Sequence, residues 1–192
     1  LPPARILYGG NKTLEPGLAG TWNIPRNVKF SVAPPKKGDS DEYKFAIVVA
    51  NNSMNYNKVA VENFGTQLTN EASALGVPSF LVATMEWNIS RDDRNQTNLK
   101  DMLYDMFKDN VRMVLVIMCD DGLCYPQVKN QADFIGIATQ CMKYKNVMNT
   151  PRGYVGNLML KINTKMGGIN HKLATRLSNV EAENAPQTFQ SP

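Results

Sequence analysis

The sequence predicts an α/β domain, a four-stranded, mainly parallel sheet flanked by helices and preceded by an extended N-terminal segment. Three observations lead there. Short apolar runs bounded by polar residues recur along the chain and read as buried strands. Stretches between them place apolar residues at helical spacing. The two kinds of segment alternate, the pattern of a parallel sheet covered on both faces.

Residues 1–40 are rich in Gly, Pro and Asn and lack sustained periodicity. They read as an extended wrapping segment, with turns at Gly9-Gly10 and Pro34-Pro35 and an exposed loop over Lys36 to Ser40. Phe45 to Val49 is the first buried strand. Val59 to Leu75 follows as a helix, with Val59, Val61, Phe64, Leu68, Ala72 and Leu75 on its stripe and Gly76 as the stop. Phe80 to Ala83 is the second strand. Leu99, Leu103, Met106 and Phe107 form a second helical stripe, entered after Thr97-Asn98. Met113 to Met118 is the third strand, and a helix starts near Pro126, a residue suited to a first turn. A fourth strand is expected within Phe134 to Met142, around Ala138-Thr139-Gln140. The last helix runs from Tyr154 to Met166 and is stopped by Gly167-Gly168. In such a Rossmann-like arrangement, ligands bind beyond the carboxyl ends of the strands. The tail after Leu177 is polar and reads as disordered.

A chain of 192 residues suits one domain with a real core. It contains no apolar run near the roughly 20 residues of a membrane span. The N-terminus lacks Met and a signal pattern, which suggests a fragment of a longer protein. Cys119, Cys124 and Cys141 are an odd number without framework spacing, which points to a reducing, cytoplasmic compartment. Cys119 and Cys124 could contribute to a zinc site with His171, but no second close pair completes it, so no metal and no cofactor are expected. Charge is unevenly spread. Residues 39–110 carry eleven acids and six bases, whereas no acid lies between Asp133 and Glu181. That gap holds Lys143, Lys145, Arg152, Lys161, Lys165, Lys172 and Arg176, which points to an anionic partner for the basic half.

Tyr125 and Lys129 stand at i,i+4 at the start of a helix that follows a buried strand. One helix face then carries a phenol and an ammonium beside free backbone N–H groups. Lys161 and Lys165 are also at i,i+4, on the last helix. The fourth strand is expected to end at Gln140-Cys141. Three lysines, a phenol and an amide could therefore converge on one anion, and a terminal phosphate monoester suits them. Lysines at this spacing are more often simply solvated.

Several phrases resemble the Mid domain of eukaryotic Argonaute proteins. Ile6 to Gly10 and Gly20 to Asn23 are similar to its opening. Tyr125 to Lys129 has its Tyr-x-x-x-Lys element, residues 138–142 its Thr-Gln-Cys strand, and residues 157–170 its closing helix with a double glycine. The resemblance covers residues 1 to about 172, with the elements in family order. It implies a domain over 1–170, with 1–40 wrapping an α/β core at 41–170. The polar tail, 171–192, would lead toward a Piwi domain of the same parent chain. The implied partner is a 5′-phosphorylated small guide RNA, with no membrane partner. The resemblance places the 5′-phosphate on Tyr125, Lys129, Gln140, the Cys141 backbone N–H and Lys165, with Lys161 in support. Tyr125 would also stack on the first base. The loop Asp120, Asp121, Gly122, Leu123 and Cys124 would read that base, and its two acids depart from the animal pattern. Slicer chemistry in this family resides in the Piwi domain, so no catalytic residue is expected here.

Two rival readings are a nucleotide-binding Rossmann-type enzyme and a protein-interaction module. Against the first, Asn51-Asn52-Ser53-Met54 follows the first strand where a Gly-rich phosphate loop would stand, and no such motif occurs elsewhere. The acidic stretch 39–110 could serve the second, but names no partner.

Overall fold

A computed structural model describes residues 5–17, 22–25, 27–36, 40–51, 56–89, 95–119 and 122–174. Gly20-Thr21, Asn52 to Met54, Asp92 to Arg94, Asp120, Asp121 and the tail from 175 lie outside the described residues. The chain opens with β1 (Arg5–Leu7) and β2 (Thr13–Leu14), an antiparallel pair turned at Gly10 and Asn11, both at positive φ. Among the described residues the next element is β3 (Tyr43–Asn51), a strand buried along nearly its whole length. α1 (Lys58–Ala74) is capped by Asn57, whose side-chain oxygen accepts from the Ala60 N–H at 3.0 Å. β4 (Ser79–Asn88), α2 (Asn95–Lys108), β5 (Met113–Met118) and α3 (Tyr125–Ile135) follow. β6 (Thr139–Lys143) leads into the short α4 (Tyr144–Met148), then α5 (Tyr154–Lys165) and β7 (Lys172–Ala174).

β3, β4, β5 and β6 form one sheet in the order β4-β3-β5-β6, every neighbouring pair parallel. Alternate residues of β3 serve two cores. Phe45, Ile47 and Val49 pack against Val61, Phe64 and Leu68 of α1 and Leu158, Met159 and Ile162 of α5. Ala46, Val48 and Ala50 pack against Leu99 and Leu103 of α2 and Val128 and Ala132 of α3. Each large side chain so buried contributes about 1.5–3 kcal/mol relative to exposure. The expected fold class is therefore present.

The differences from the sequence reading have local causes. The second strand runs on past Ala83 to Asn88 because β3 offers it a partner along its full length, with one register shift at Phe45/Ala46. Phe134 and Ile135 belong to α3, not to the fourth strand. Gly136, at φ 82°, ends that helix, and the N–H groups of Gly136 and Ile137 both close on Ala132 O. The strand therefore starts later, at Thr139, and passes Gln140-Cys141 to reach Lys143. α4 was not anticipated. It is a single short helix whose one buried side chain, Val147, leaves no periodic signal.

A second sheet, in the order β2-β1-β7, was also unforeseen. β7 lies past the boundary expected at 170 and pairs Arg5 with Ala174 and Leu7 with Lys172. The N-terminal segment is stitched down between. Gly9 bridges Lys29, Val32 bridges Ile169, and the Tyr43 hydroxyl donates to Pro34 O at 2.6 Å.

Candidate nucleic-acid interface

Three elements build the candidate site: α3, the start of β6, and the end of α5. Among the described residues β6 is an edge strand, and one side of its backbone has no strand partner there. The Val114 N–H donates to Ala138 O, and parallel pairing engages alternate residues. Gln140 and Met142 therefore face β5, while Thr139 and Cys141 turn their N–H and C=O groups to the open side.

The lysines meet on that side. Lys129 Nζ donates to the Thr139 carbonyl at 3.1 Å and to its hydroxyl at 2.7 Å. Lys165 Nζ donates to the same carbonyl at 2.9 Å and to Gln140 Oε1 at 2.9 Å. Gln140 Nε2 donates to Cys141 O at 2.8 Å. Two ammonium groups thus share one neutral oxygen, and neither is paired with a carboxylate among the described residues. The electrostatics follow. Burial, and then the neighbouring Lys129 charge, hold the Lys165 pKa below its ordinary 10.5, with Lys161 adding to the effect. Burial raises the Cys141 thiol pKa, only partly offset by Lys129 and Lys165, so it is a neutral thiol at pH 7.

Tyr125 opens α3 with its ring half-exposed, 5.8 Å from Lys129 Nζ. Lys161 is exposed one turn before Lys165, with no hydrogen bond to a described residue. Its charge reaches Lys165, but its ammonium does not join the cluster. Of the first-base loop, Gly122, Leu123 and Cys124 are described. Gly122 has positive φ, Leu123 is exposed, and buried Cys124 is the N-cap of α3 without a side-chain capping bond.

The expected place of the site needs correction. Lys129, Gln140 and Lys165 do not converge beyond the carboxyl end of the fourth strand. They gather at its amino end, because Thr139 is the first residue of β6 and pairs with Val114 near the start of β5. The carboxyl ends of β3 and β5, at Asn51 and Met118, lie at the opposite end of the strands. Thr139 itself was missed as a site residue. It stood inside the Thr-Gln-Cys phrase, but nothing in spacing reveals that its carbonyl would be the shared acceptor. A cavity of about 1000 Å³, lined by Gln67, Glu71 and Arg152 among others, contains none of the candidate residues.

Comparison with known proteins agrees with this architecture. The chain is similar in structure to the Kluyveromyces polysporus Argonaute, with a TM-score of 0.69 at 17% identity over 91% of this chain and 21% of that one. It thus spans about a fifth of that protein. An isolated Mid domain of an Arabidopsis thaliana Argonaute matches with a TM-score of 0.54 at 19% identity, over 70% of this chain and 94% of that one. The Mid and Piwi domains of an N. crassa Argonaute match at 0.62 and 22%, over 77% of this chain and 39% of that one. Residues 112–186 match the Piwi domain family, a span that starts just before β5 and includes every candidate site residue. No helix among the described residues is long and apolar enough to cross a membrane. The chain has the fold of an Argonaute Mid domain and, over residues 112–186, the sequence pattern of the Piwi family.

Proposed function

We propose that the chain holds the 5′-phosphate and first nucleotide of a guide RNA. The observation that carries this reading is the meeting of Lys129 and Lys165 on the Thr139 carbonyl without a carboxylate partner. Two cations on one neutral acceptor repel each other, and a phosphate monoester of about −1.5 to −2 charges would satisfy both. The open edge of β6 offers the outward Cys141 N–H, and Gln140 lies between. Tyr125 presents a ring face on which a first base can stack and a hydroxyl that makes no hydrogen bond to a described residue. Lys161 strengthens the local field from outside the cluster. Residues 122–124, the described part of the loop at the entrance to α3, would help read the first base. The K. polysporus Argonaute of like fold was crystallised with a guide RNA. In this reading the chain binds and does not catalyse, and a Piwi domain of the parent protein would complete the guide's path.

The direct test compares a 5′-phosphorylated oligonucleotide with its 5′-hydroxyl twin by fluorescence titration. The phosphorylated strand should bind on the order of tenfold more tightly, the scale of one charge-assisted hydrogen bond. Equal affinities would overturn the reading.

A further inference from the structure

β4 closes the other side of the parallel sheet, and among the described residues its outer edge carries no strand partner. No backbone hydrogen bond joins residues 80–86 to a described residue outside β3. Sheets usually guard such an edge, because its unpaired N–H and C=O groups are a template for another chain. β4 is ten residues long and has neither Lys nor Pro. Its one guard is a bulge. Leu81 and Ala83 pair with consecutive residues, Phe45 and Ala46, so Val82 is extra. Phe80 and Met85 therefore share a face, because they pair with Lys44 and Val48, and Val48 packs in the core under α2 and α3. Phe80, Val82 and Met85 are 38%, 41% and 39% exposed, although strands of a parallel sheet are normally covered on both faces.

The charge around this edge is mainly negative. Residues 56–89 and 95–110 carry six acids and three bases. Two of the bases are engaged. Lys108 pairs with Asp105 at 2.7 Å, and Lys100 lies over the Phe134 ring of α3. Lys100 thus marks the flank of α2 that meets α3. Asp101 is about 100° further round, on the flank turned to β4. On the sheet's other face, Gly65 of α1 lies against the Leu81 side chain, and Glu62 stands one turn before it. Glu86, on β4 itself, accepts from Asn51 Nδ2 at 2.7 Å. Among the described residues no base pairs with Glu62, Glu86 or Asp101.

We propose that the β4 edge docks an extended segment of a partner protein in which apolar residues alternate with Lys or Arg. The segment adds a fifth strand to the sheet, its backbone pairing with β4. Successive side chains of a strand point to opposite faces. The apolar residues of the segment lie beside Phe80 and Met85 on the α2 face. Its bases lie beside Thr84 and Glu86, which pair with Ile47 and Val49 and so face α1. The surface is separate from the lysine cluster, which sits on β6 at the opposite edge of the sheet.

The test titrates the 192-residue chain with a synthetic peptide of alternating Val and Lys, followed by NMR and amide hydrogen exchange. Its two controls are a peptide of alternating Val and Glu, and the Val-Lys peptide with every backbone nitrogen methylated. The Val-Lys peptide should bind at least about tenfold more tightly than either, through charge in the first comparison and strand pairing in the second. It should slow amide exchange in β4. Glu86→Gln keeps an acceptor for Asn51 and removes the charge, and should weaken the Val-Lys peptide about threefold. Met85→Lys places a like charge on the edge and should weaken it about tenfold or more. Thermal melting reports whether each variant is folded, and the wild-type comparison of peptides stands if one is not. A Val-Lys peptide no tighter than either control, slowed exchange centred outside β4, or a folded Glu86→Gln variant with wild-type affinity would overturn the proposal. Dimers in sedimentation runs without peptide, with β4 amides protected, would assign the edge to a second copy and overturn it too.

Discussion

At the residue scale, the charge of Lys165 and the ring of Tyr125 should separate cleanly. Lys165→Ala should lower affinity for a 5′-phosphorylated end about tenfold or more while hardly changing that for a 5′-hydroxyl end. Tyr125→Phe keeps the ring and should cost about 0.5–1.5 kcal/mol, one hydrogen bond. Tyr125→Ala loses a stacking surface worth about 1–3 kcal/mol and should weaken both ligands. Fluorescence titrations of the three variants check this order, and a Lys165→Ala effect equal on both ligands would make Lys165 a general backbone contact. The pH dependence has a definite sign on each side. The monoester loses its second charge as pH falls through about 6, so affinity falls there. Lys165 has its pKa depressed by burial and by Lys129, so its ammonium is lost at a lower pH than in the unfolded chain. Affinity should therefore fall again as pH rises toward 10.5. Over the same alkaline window the unfolded chain holds more protons, so the ligand-free fold should become more stable as pH rises. Titrations across pH should give a bell. A flat alkaline limb would mean that Lys165 does not contact the phosphate.

At the scale of elements, the site depends on how α3 and α5 end. Gly136 lets α3 stop at Ile135, which brings Thr139 under Lys129. The double glycine ends α5 just after Lys165. There the Gly168 N–H closes on Asn163 O, and a Cβ at Gly168 would lie 2.2 Å from the Asn163 side-chain oxygen. Asn163 is fully buried, and its amide donates to Asn170 Oδ1 at 2.8 Å. Asn170 in turn donates to Leu160 O at 3.0 Å, inside the turn that carries Lys161 and Lys165. Gly168→Ala should therefore push Asn163 aside and destabilise the chain by about 1–3 kcal/mol, the usual cost of forcing volume into a packed site. Gly136→Ala, with no atom within 4 Å of the added carbon, should cost only the left-handed backbone penalty of about 1–2 kcal/mol. Chemical denaturation of both variants measures the difference. Equal losses would mean that the Asn163 contact relaxes freely.

At the scale of the molecule, the two ends of the described chain are joined. β7 pairs with β1, and Val32 pairs with Ile169, so the N-terminal segment is tied to the strand and loop that follow α5. A chain cut at residue 170 loses the β7 ladder and should melt at least about 3 °C below one cut at 174. That is the shift expected from roughly 1 kcal/mol in a domain of this size. Differential scanning calorimetry decides it, and identical melting points would show that β7 adds nothing to the fold. The acid-poor stretch after Asp133 also gains meaning at this scale. Folding divides it between several elements, so that among the described residues Lys165 is the one base of that stretch that joins Lys129 at Thr139.

The sequence by itself determined the alternation of strands and helices, because burial on one face leaves a period of 3.6 and burial on both leaves a continuous run. Val114 to Ile117 and the Leu99-Leu103-Met106 stripe show both signals. It also put Tyr125 beside Lys129 and Lys161 beside Lys165, since neighbours at i,i+4 share a helix face. Three things had no local signal. β1, β2 and β7 are two or three residues long, too short for any period, and form only because distant segments meet. The place of the lysine cluster at the amino end of β6 depends on strand order and register, which hydrophobic pattern does not encode. The shared acceptor is a backbone carbonyl. Every residue has one, and only the tertiary structure decides which will be left open on a sheet edge between two ammonium groups.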